Sequence, residues 1–238
     1  MKRETTNYIR FVLEELLPPI LRDSALMRWL FRRYWGSLID ELEQFRATAH
    51  HISDTDYARI YAAIPRVHTG TDNSAECIRK IIAATLPGDV LDVGCGAGYL
   101  LRSLDDALGR QDRSYTGLDF QIDDESRRSL PNIRFEESAV ESMPFADNSF
   151  DTLICTHLLE HILDIRICVS ELRRVCRKRL IIVVPQEREY KFTFNPHLHF
   201  FPYRQSFLKH MLPVPMNAKC ENVGRDFFYV EDYAETSL

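Results

Sequence analysis

Apolar residues in the first 65 or so positions recur at helical spacing. Ile9, Val12, Leu13 and Leu16 share one helical face, and Pro18-Pro19 break the run. Asp23 or Ser24 stands where a helix cap belongs, ahead of Leu26, Trp29, Leu30, Arg33 and Tyr34. A further helix from about Ser37 is expected to bury Leu38, Leu42 and Phe45, and a short one to run from Asp54 to Ala63. From about residue 72 the pattern changes. Ala75 to Leu86 has a helical period with Ile78, Ile81 and Ile82 on one side, and Pro87-Gly88 ends it. Asp89–Val93 is a short apolar strand. Helix follows at Tyr99–Leu108, strand at Ser114–Leu118, helix near Asp123–Leu130 and strand at Ile133–Glu136. Then come strand Phe150–Thr156, helix Ile165–Cys176 and strand Leu180–Val184. The last fifth predicts a helix near Arg204–Met211 and strands around Lys219–Val223 and Asp226–Val230. Strands that alternate with helices require a mostly parallel, doubly wound α/β sheet covered on both faces. The expected division is a helical cap over residues 1–68 and an α/β domain over 69–238.

Composition narrows the function. At 238 residues and 45% hydrophobic content the chain can bury a full core without metal or disulfide staples. A net charge of −5 argues against broad nucleic-acid binding, which needs a positive footprint. Six cysteines at 77, 95, 155, 168, 176 and 220 form no C-x-x-C pair, so a reducing compartment is expected. No apolar stretch follows the charged first residues, and no run nears the roughly 18 residues of a membrane span. A cytoplasmic location is therefore expected.

Four of the nine glycines, Gly88, Gly94, Gly96 and Gly98, crowd into one short stretch. There a buried strand runs into Gly94-Cys95-Gly96-Ala97-Gly98 and then a helix, a form that lets a ligand approach backbone N–H groups at a helix start. Three ligands compete. A P-loop needs Lys-Ser or Lys-Thr after the last glycine, where Tyr99-Leu100 stands. A dinucleotide loop is G-x-G-x-x-G, one residue longer than this one. Asp92, two residues before Gly94, would repel a pyrophosphate but suits a ligand with an ammonium or sulfonium group. S-adenosylmethionine has both, and its own carboxylate suits the helix start. Asp119 ends the second strand 21 residues after Gly98, where an acid accepts hydrogen bonds from ribose hydroxyls; the plain alternative is that it caps the next helix.

Over residues 72–212 the chain resembles the class I S-adenosylmethionine-dependent methyltransferases, in the small-molecule, type 11-like subgroup. The resemblance rests on four motifs in order: Val90-Leu91-Asp92-Val93-Gly94-Cys95-Gly96-Ala97-Gly98, Gly117-Leu118-Asp119, Met143-Pro144-Phe145-Ala146-Asp147-Asn148-Ser149-Phe150-Asp151, and His157-Leu158-Leu159-Glu160-His161-Ile162-Leu163-Asp164. It implies a Rossmann-like sheet of seven strands with an N-terminal helical cap, and S-adenosylmethionine as cofactor. Gly94, Cys95, Gly96 and Gly98 would hold the methionine part with Asp92 near its amino end. Asp119 would bind the ribose, Phe120 would pack beside the adenine, and Ser138-Ala139-Val140 would edge it. Thr156, His157 and Leu158 would lie under the methionine and face the methyl. The family usually has an acid where Ala139 stands, to accept from the adenine amino group. Either Glu141 or another neighbour takes that contact here, or binding is weaker.

His157-Leu-Leu-Glu160-His161 also spells H-x-x-E-H, an inverted zinc-protease motif. On a helix His157 and His161 would share a face and grip zinc, with His197 or His199 as a third ligand. The nucleoside-binding order around the motif weighs against a zinc hydrolase, and no metal is expected. If the methyl acceptor is a hydroxyl, a base of near-neutral pKa helps, and His157, His161, His197 and His199 are the candidates. The alternative is that they tie the helix and the following segment to the sheet edge. An extended 195–203 segment would put His197 and His199 on one side.

The aromatic and basic segment 29–35 suits a lid over the acceptor, a lipid-facing surface, a homodimer face, or plain packing on the main domain. Arg173, Arg174, Arg177, Lys178 and Arg179 form a basic cluster where the family often has Pro-Gly-Gly. A solvated face complementing a helix dipole is expected there, with an anionic acceptor or carrier as the alternative. The function expected is methyl transfer to an oxygen of a small-molecule acceptor, a biosynthetic intermediate or sugar, with no nucleic-acid partner and a homodimer left open. The alternatives are a methyltransferase of a macromolecule or carrier-bound substrate, and a non-catalytic nucleoside-binding module.

Overall fold

A computed structural model describes residues 8, 10–51, 70–191 and 196–233. The N-terminal part opens with a π-helical stretch, Val12–Leu16, followed by α1 (Pro19–Arg22), α2 (Ala25–Trp35) and α3 (Leu38–Thr48). Ser24 caps α2 by accepting from the Met27 amide at 3.3 Å. On α3 the buried face is Ile39, Leu42 and Phe45, one residue rotated from the expected Leu38, which is half-buried. The helix expected at 54–63, and the expected boundary at 68/69, lie outside the described residues.

The α/β part runs α4 (Ala75–Ala84), β1 (Gly88–Val93), α5 (Tyr99–Leu108), β2 (Arg113–Asp119), α6 (Asp124–Ser129), β3 (Arg134–Glu137), β4 (Phe150–Thr156), α7 (Ile165–Val175), β5 (Cys176–Pro185), α8 (Arg204–Leu208), β6 (Lys219–Val223) and β7 (Asp226–Asp232). Among the described residues seven strands form one sheet in the order β3-β2-β1-β4-β5-β7-β6. The first five are parallel; β7 lies antiparallel between β5 and β6. The strand order reverses between β1 and β4, so a crevice opens beyond the C-terminal ends of β1, β2 and β4.

Successive residues of the central strands feed two cores. Leu91, Val93, Leu153, Cys155, Ile182 and Val184 point to the side of α7 and α8, whereas Val90, Ile154, Ile181 and Val183 point to the side of α4 and α5. A third cluster of Leu13, Phe31, Ile39 and Tyr190 joins the N-terminal helices to the segment after β5. Ion pairs reinforce the same joint. The buried Arg10 guanidinium donates to the Gln186 carbonyl at 2.8 Å and pairs with Glu14, and Arg225 reaches Glu14 at 2.6 Å. Of the aromatic segment, Phe31 is buried, while Trp29 and Tyr34 remain exposed.

The basic cluster lies at a partly exposed face, with Arg177 exposed, and its charges are paired. Arg173 grips the buried Glu231 of β7 at 2.8 and 2.9 Å, Arg174 pairs with Glu171 and Asp147, Arg177 and Lys178 share Asp151, and Arg179 clasps Asp232. Each charge has a carboxylate partner because β5 passes between α7, β4 and β7, all of which carry acids at this end. No helix of the described residues is long and apolar enough to cross a membrane.

Gly117 explains its place in the second motif. A Cβ there would sit 2.7 Å from Cys95 Sγ and 2.9 Å from Leu101 Cδ1, where α5 packs on β2. Gly117→Ala is expected to cost about 1–3 kcal/mol by overpacking, which thermal unfolding reads as a Tm lowered by roughly 2–4 °C per kcal/mol.

Candidate active site

The C-terminal ends of β1 and β2 converge on the glycine loop. Gly94, Gly96 and Gly98 take φ of 78°, 51° and 75°, the left-handed region open to residues without a Cβ. At Gly94 a Cβ would also meet Leu158 at 3.2 Å, so this glycine lets the fourth motif lie against the loop. Gly98 ends the turn and stands at the N-cap of α5 with no side chain to cap it, which leaves the first amides of the helix without intrahelical partners. Cys95 is buried, and burial with the neighbouring Asp92 and Asp119 pushes its thiol far up. It is an inert packing residue.

Asp92 is 2% exposed, and its Oδ1 has no hydrogen-bond partner among the described residues. Burial, and then the charge of Asp119, push its carboxyl up to about 7. A carboxylate left thus at the mouth of a sheet is suited to a cationic ligand. Asp119 ends β2 and accepts from the Gly96 amide at 2.8 Å through Oδ2, which pins the loop. It does not cap the next helix; Asp123 does, accepting from the Ser126 amide at 2.6 Å. Phe120 is exposed beside it. The Ser138 amide donates to the Asp119 carbonyl at 3.0 Å and carries the chain into the turn Val140–Ser142. There Val140 is buried while Ala139 and Glu141 are exposed, at the edge where an adenine would lie.

The floor of the crevice is the end of β4. Thr156 Oγ1 accepts from Asn73 Nδ2 at 2.9 Å, and Asn73 is buried with Oδ1 lacking a hydrogen-bond partner among the described residues. Sequence reasoning missed Asn73. It precedes the α4 cap Ser74, a place with no motif of its own, and only the fold brings it to the crevice. His157 follows at φ 51°, with its amide donating to the Val183 carbonyl at 2.9 Å. The helix on which a shared zinc grip by His157 and His161 would depend is not formed. Only Leu159–His161 turn, as a 3-10 helix, so the two histidines do not share a helical face.

What assembles instead is a different cluster. Glu160, 1% exposed at its side chain, lies 3.6 Å through Oε1 from His157 Nδ1. The Glu160 carbonyl accepts from the Leu198 and His199 amides at 2.8 and 3.0 Å, which ties the 196–199 segment onto the 3-10 turn. His161 and His197 then meet edge to face, ring centroids 4.8 Å apart. His197 Nδ1 is 2.6 Å from Glu187 Oε2. Burial works against the charged imidazolium, but the Glu187 carboxylate outweighs it and holds the His197 pKa above its usual value. Burial and the charge of His197 push His161 well down, and burial pushes Glu160 up to about 7. His199 is not part of the group. It turns to the Leu163 carbonyl at 3.4 Å and packs on His210, so the extended-segment expectation that put it beside His197 is corrected by the turn of the chain here. Glu187 was missed too, since nothing in Pro185-Gln186-Glu187 marks it as a histidine partner.

A hollow of about 560 Å³ at the opposite, N-terminal ends of the strands is lined by Arg110, Arg113 and Arg134. These are committed to Asp105, Asp112 and Glu136, and neither glycine loop nor histidine borders the hollow. A second cavity, of about 610 Å³, lies between Leu16, Leu17, Pro18 and Pro19 of the N-terminal part and Arg188 and Pro202 after β5.

Residues 91–184 match a family described as a methyltransferase domain. An uncharacterized methyltransferase, YcgJ, of Bacillus subtilis is 30% identical over 93 residues, 37% of this chain and 36% of that protein. A ubiquinone biosynthesis O-methyltransferase of Paracidovorax citrulli is 36% identical over 83 residues, 32% of this chain and 33% of that one. The chain thus spans about a third of the length of these two curated relatives. A solved S-adenosylmethionine-dependent methyltransferase from Aquifex aeolicus shares the fold with a TM-score of 0.50 and 20% identity, over 65% of this chain and 88% of that one.

Proposed function

Because residues 91–184 form a class I S-adenosylmethionine-dependent methyltransferase domain of the type 11 kind, we propose that the chain transfers the methyl of S-adenosylmethionine to an oxygen of a small-molecule acceptor. The observation that carries the reading is the pair of aspartates at the glycine loop. Asp92 is a buried carboxylate with an oxygen left for a cation, and Asp119 is a strand-end acid already holding the loop. In this reading the ammonium of the cofactor sits at Asp92, the ribose hydroxyls at Asp119, and Phe120 and Val140 border the adenine. Leu158 and Thr156 then back the methionine. The resulting position of the sulfonium methyl is beside the histidine cluster.

Methyl transfer is a displacement at carbon. The C–S bond breaks as the O–C bond forms, and the acceptor proton must leave. Positioning and exclusion of water do most of the work. A base for that proton stands directly after Thr156, at His157, whose Nδ1 lies 3.6 Å from Glu160 Oε1. The N-terminal part, residues 1–68, acts as a cap. Its Arg10 anchors on the Gln186 carbonyl next to Glu187. The name of the Paracidovorax citrulli relative, an O-methyltransferase of ubiquinone biosynthesis, favours an oxygen as the acceptor atom.

Calorimetry with S-adenosylmethionine and its demethylated product should give one site per chain for each. Turnover with a panel of phenols, quinols and sugars should then yield the methyl ether. Binding without any methylated product would leave a nucleoside-binding module, and absence of binding would end the reading altogether.

A further inference from the structure

We propose that Glu160, His161 and His197 form a site for a divalent transition-metal ion of the zinc-binding kind, at the C-terminal edge of the sheet. One ligand atom from each residue lies within 4.8 Å of the other two. Tetrahedral zinc with bonds of about 2.0–2.2 Å needs its ligands roughly 3.3–3.6 Å apart, so the side chains must draw in by up to about 1.5 Å. Two imidazoles and a carboxylate favour zinc, cobalt or nickel over magnesium or calcium.

The surroundings are those of a ligand set. The Glu187 carboxylate holds His197 at Nδ1, 2.6 Å away, and the Pro196 carbonyl stands 3.4 Å from His161 Nδ1. An imidazole that donates from Nδ1 keeps its lone pair on Nε2, and a carboxylate or carbonyl in that outer place fixes the ring and raises its basicity toward a metal. Glu160 Oε2 is buried with no hydrogen-bond partner among the described residues, a costly state that an ion would relieve. The hydrogen bonds from Leu198 and His199 to the Glu160 carbonyl keep the two ligand segments together. Three protein ligands leave a fourth position open. The H-x-x-E-H reading, in which His157 and His161 grip zinc from one helix, is replaced by a set in which His197 takes the place of His157. The use of the open position rests on the methyl-transfer reading. There a bound ion would supply a Lewis acid that lowers the pKa of an acceptor hydroxyl, as zinc does for water. The site itself does not depend on that reading.

The test uses the full chain after chelation and dialysis. Titration with zinc should show one ion per chain, and the cobalt-loaded protein should show the visible absorption of a tetrahedral ion. His161→Ala and His197→Ala should each weaken zinc binding at least 100-fold. Glu187→Gln should weaken it by about 10–100-fold, the loss expected for an outer partner. His210→Gln, a neighbouring histidine outside the site, should leave affinity unchanged. Absence of stoichiometric zinc, or zinc binding that survives loss of both His161 and His197, would overturn the proposal. Calorimetry with S-adenosylmethionine on the same preparation separates the two readings. Cofactor bound without zinc removes the metal site alone, and zinc bound without cofactor removes the methyl-transfer reading alone.

Discussion

Asp119→Ala is expected to weaken S-adenosylmethionine binding by about 100-fold, read by calorimetry at pH 8. Two interactions are lost together. The ribose hydroxyls lose a charged acceptor, and the Gly96 amide loses the oxygen 2.8 Å away that holds the loop in its left-handed turn. A hydrogen bond to a charged group contributes about 1.5–3 kcal/mol, and each 1.4 kcal/mol or so is a tenfold change in Kd. The two losses overlap, since a loop freed from Asp119 also presents its amides less well, so the sum falls short of simple addition. Asp119→Asn retains an oxygen for Gly96 and should lose less. Unchanged affinity in Asp119→Ala would refute the ribose role. A large drop in Tm with affinity intact would instead leave Asp119 a loop clamp only.

Much of this crevice is legible in the sequence. Asp92, the three loop glycines and Asp119 lie within or just beyond single strands, where period and turn chemistry act locally, and the fold placed them as the pattern required. What escaped depends on contacts between distant segments. Asn73 meets Thr156 across 83 positions of sequence, and Arg10 meets Gln186 across 176. The partners of the basic cluster escaped for the same reason. A run of arginines carries no sign of the acids Glu231 and Asp232, which are brought over by an antiparallel strand inserted next to β5. The H-x-x-E-H spacing, by contrast, misled. It assumes a helix, but His157 sits at φ 51° and only Leu159–His161 turn, so His161 meets His197 while Glu160 stays within 3.6 Å of His157.

Binding of S-adenosylmethionine at pH 6 is expected to release nearly one proton from Asp92. In the empty protein burial, and then the negative Asp119, hold the Asp92 carboxyl up to about 7, so at pH 6 it is mostly neutral. An ammonium placed at Asp92 reverses that balance and ionises it. The cofactor must then pay to displace the proton whenever the pH lies below about 7. Affinity should therefore fall about tenfold per pH unit below that point and level off above it. Calorimetry at pH 6 in buffers of different ionisation enthalpy reads the proton count directly, and the same titration at pH 8 should show almost none. The empty fold carries the opposite linkage. Its native carboxyl binds protons more tightly than the unfolded chain does, so this contribution to stability is greatest below the usual carboxylate range. It is lost as pH climbs toward about 7, and the cofactor compensates for it there. Asp92→Asn should abolish both the proton release and this limb of the pH dependence, at the cost of the charge that attracts the ammonium. The two aspartates are coupled. Asp119→Ala removes a charge that raises Asp92, so the midpoint of the pH dependence should shift down even as overall affinity drops. An affinity flat from pH 5 to 8, or proton uptake at pH 6, would show that no cation meets Asp92.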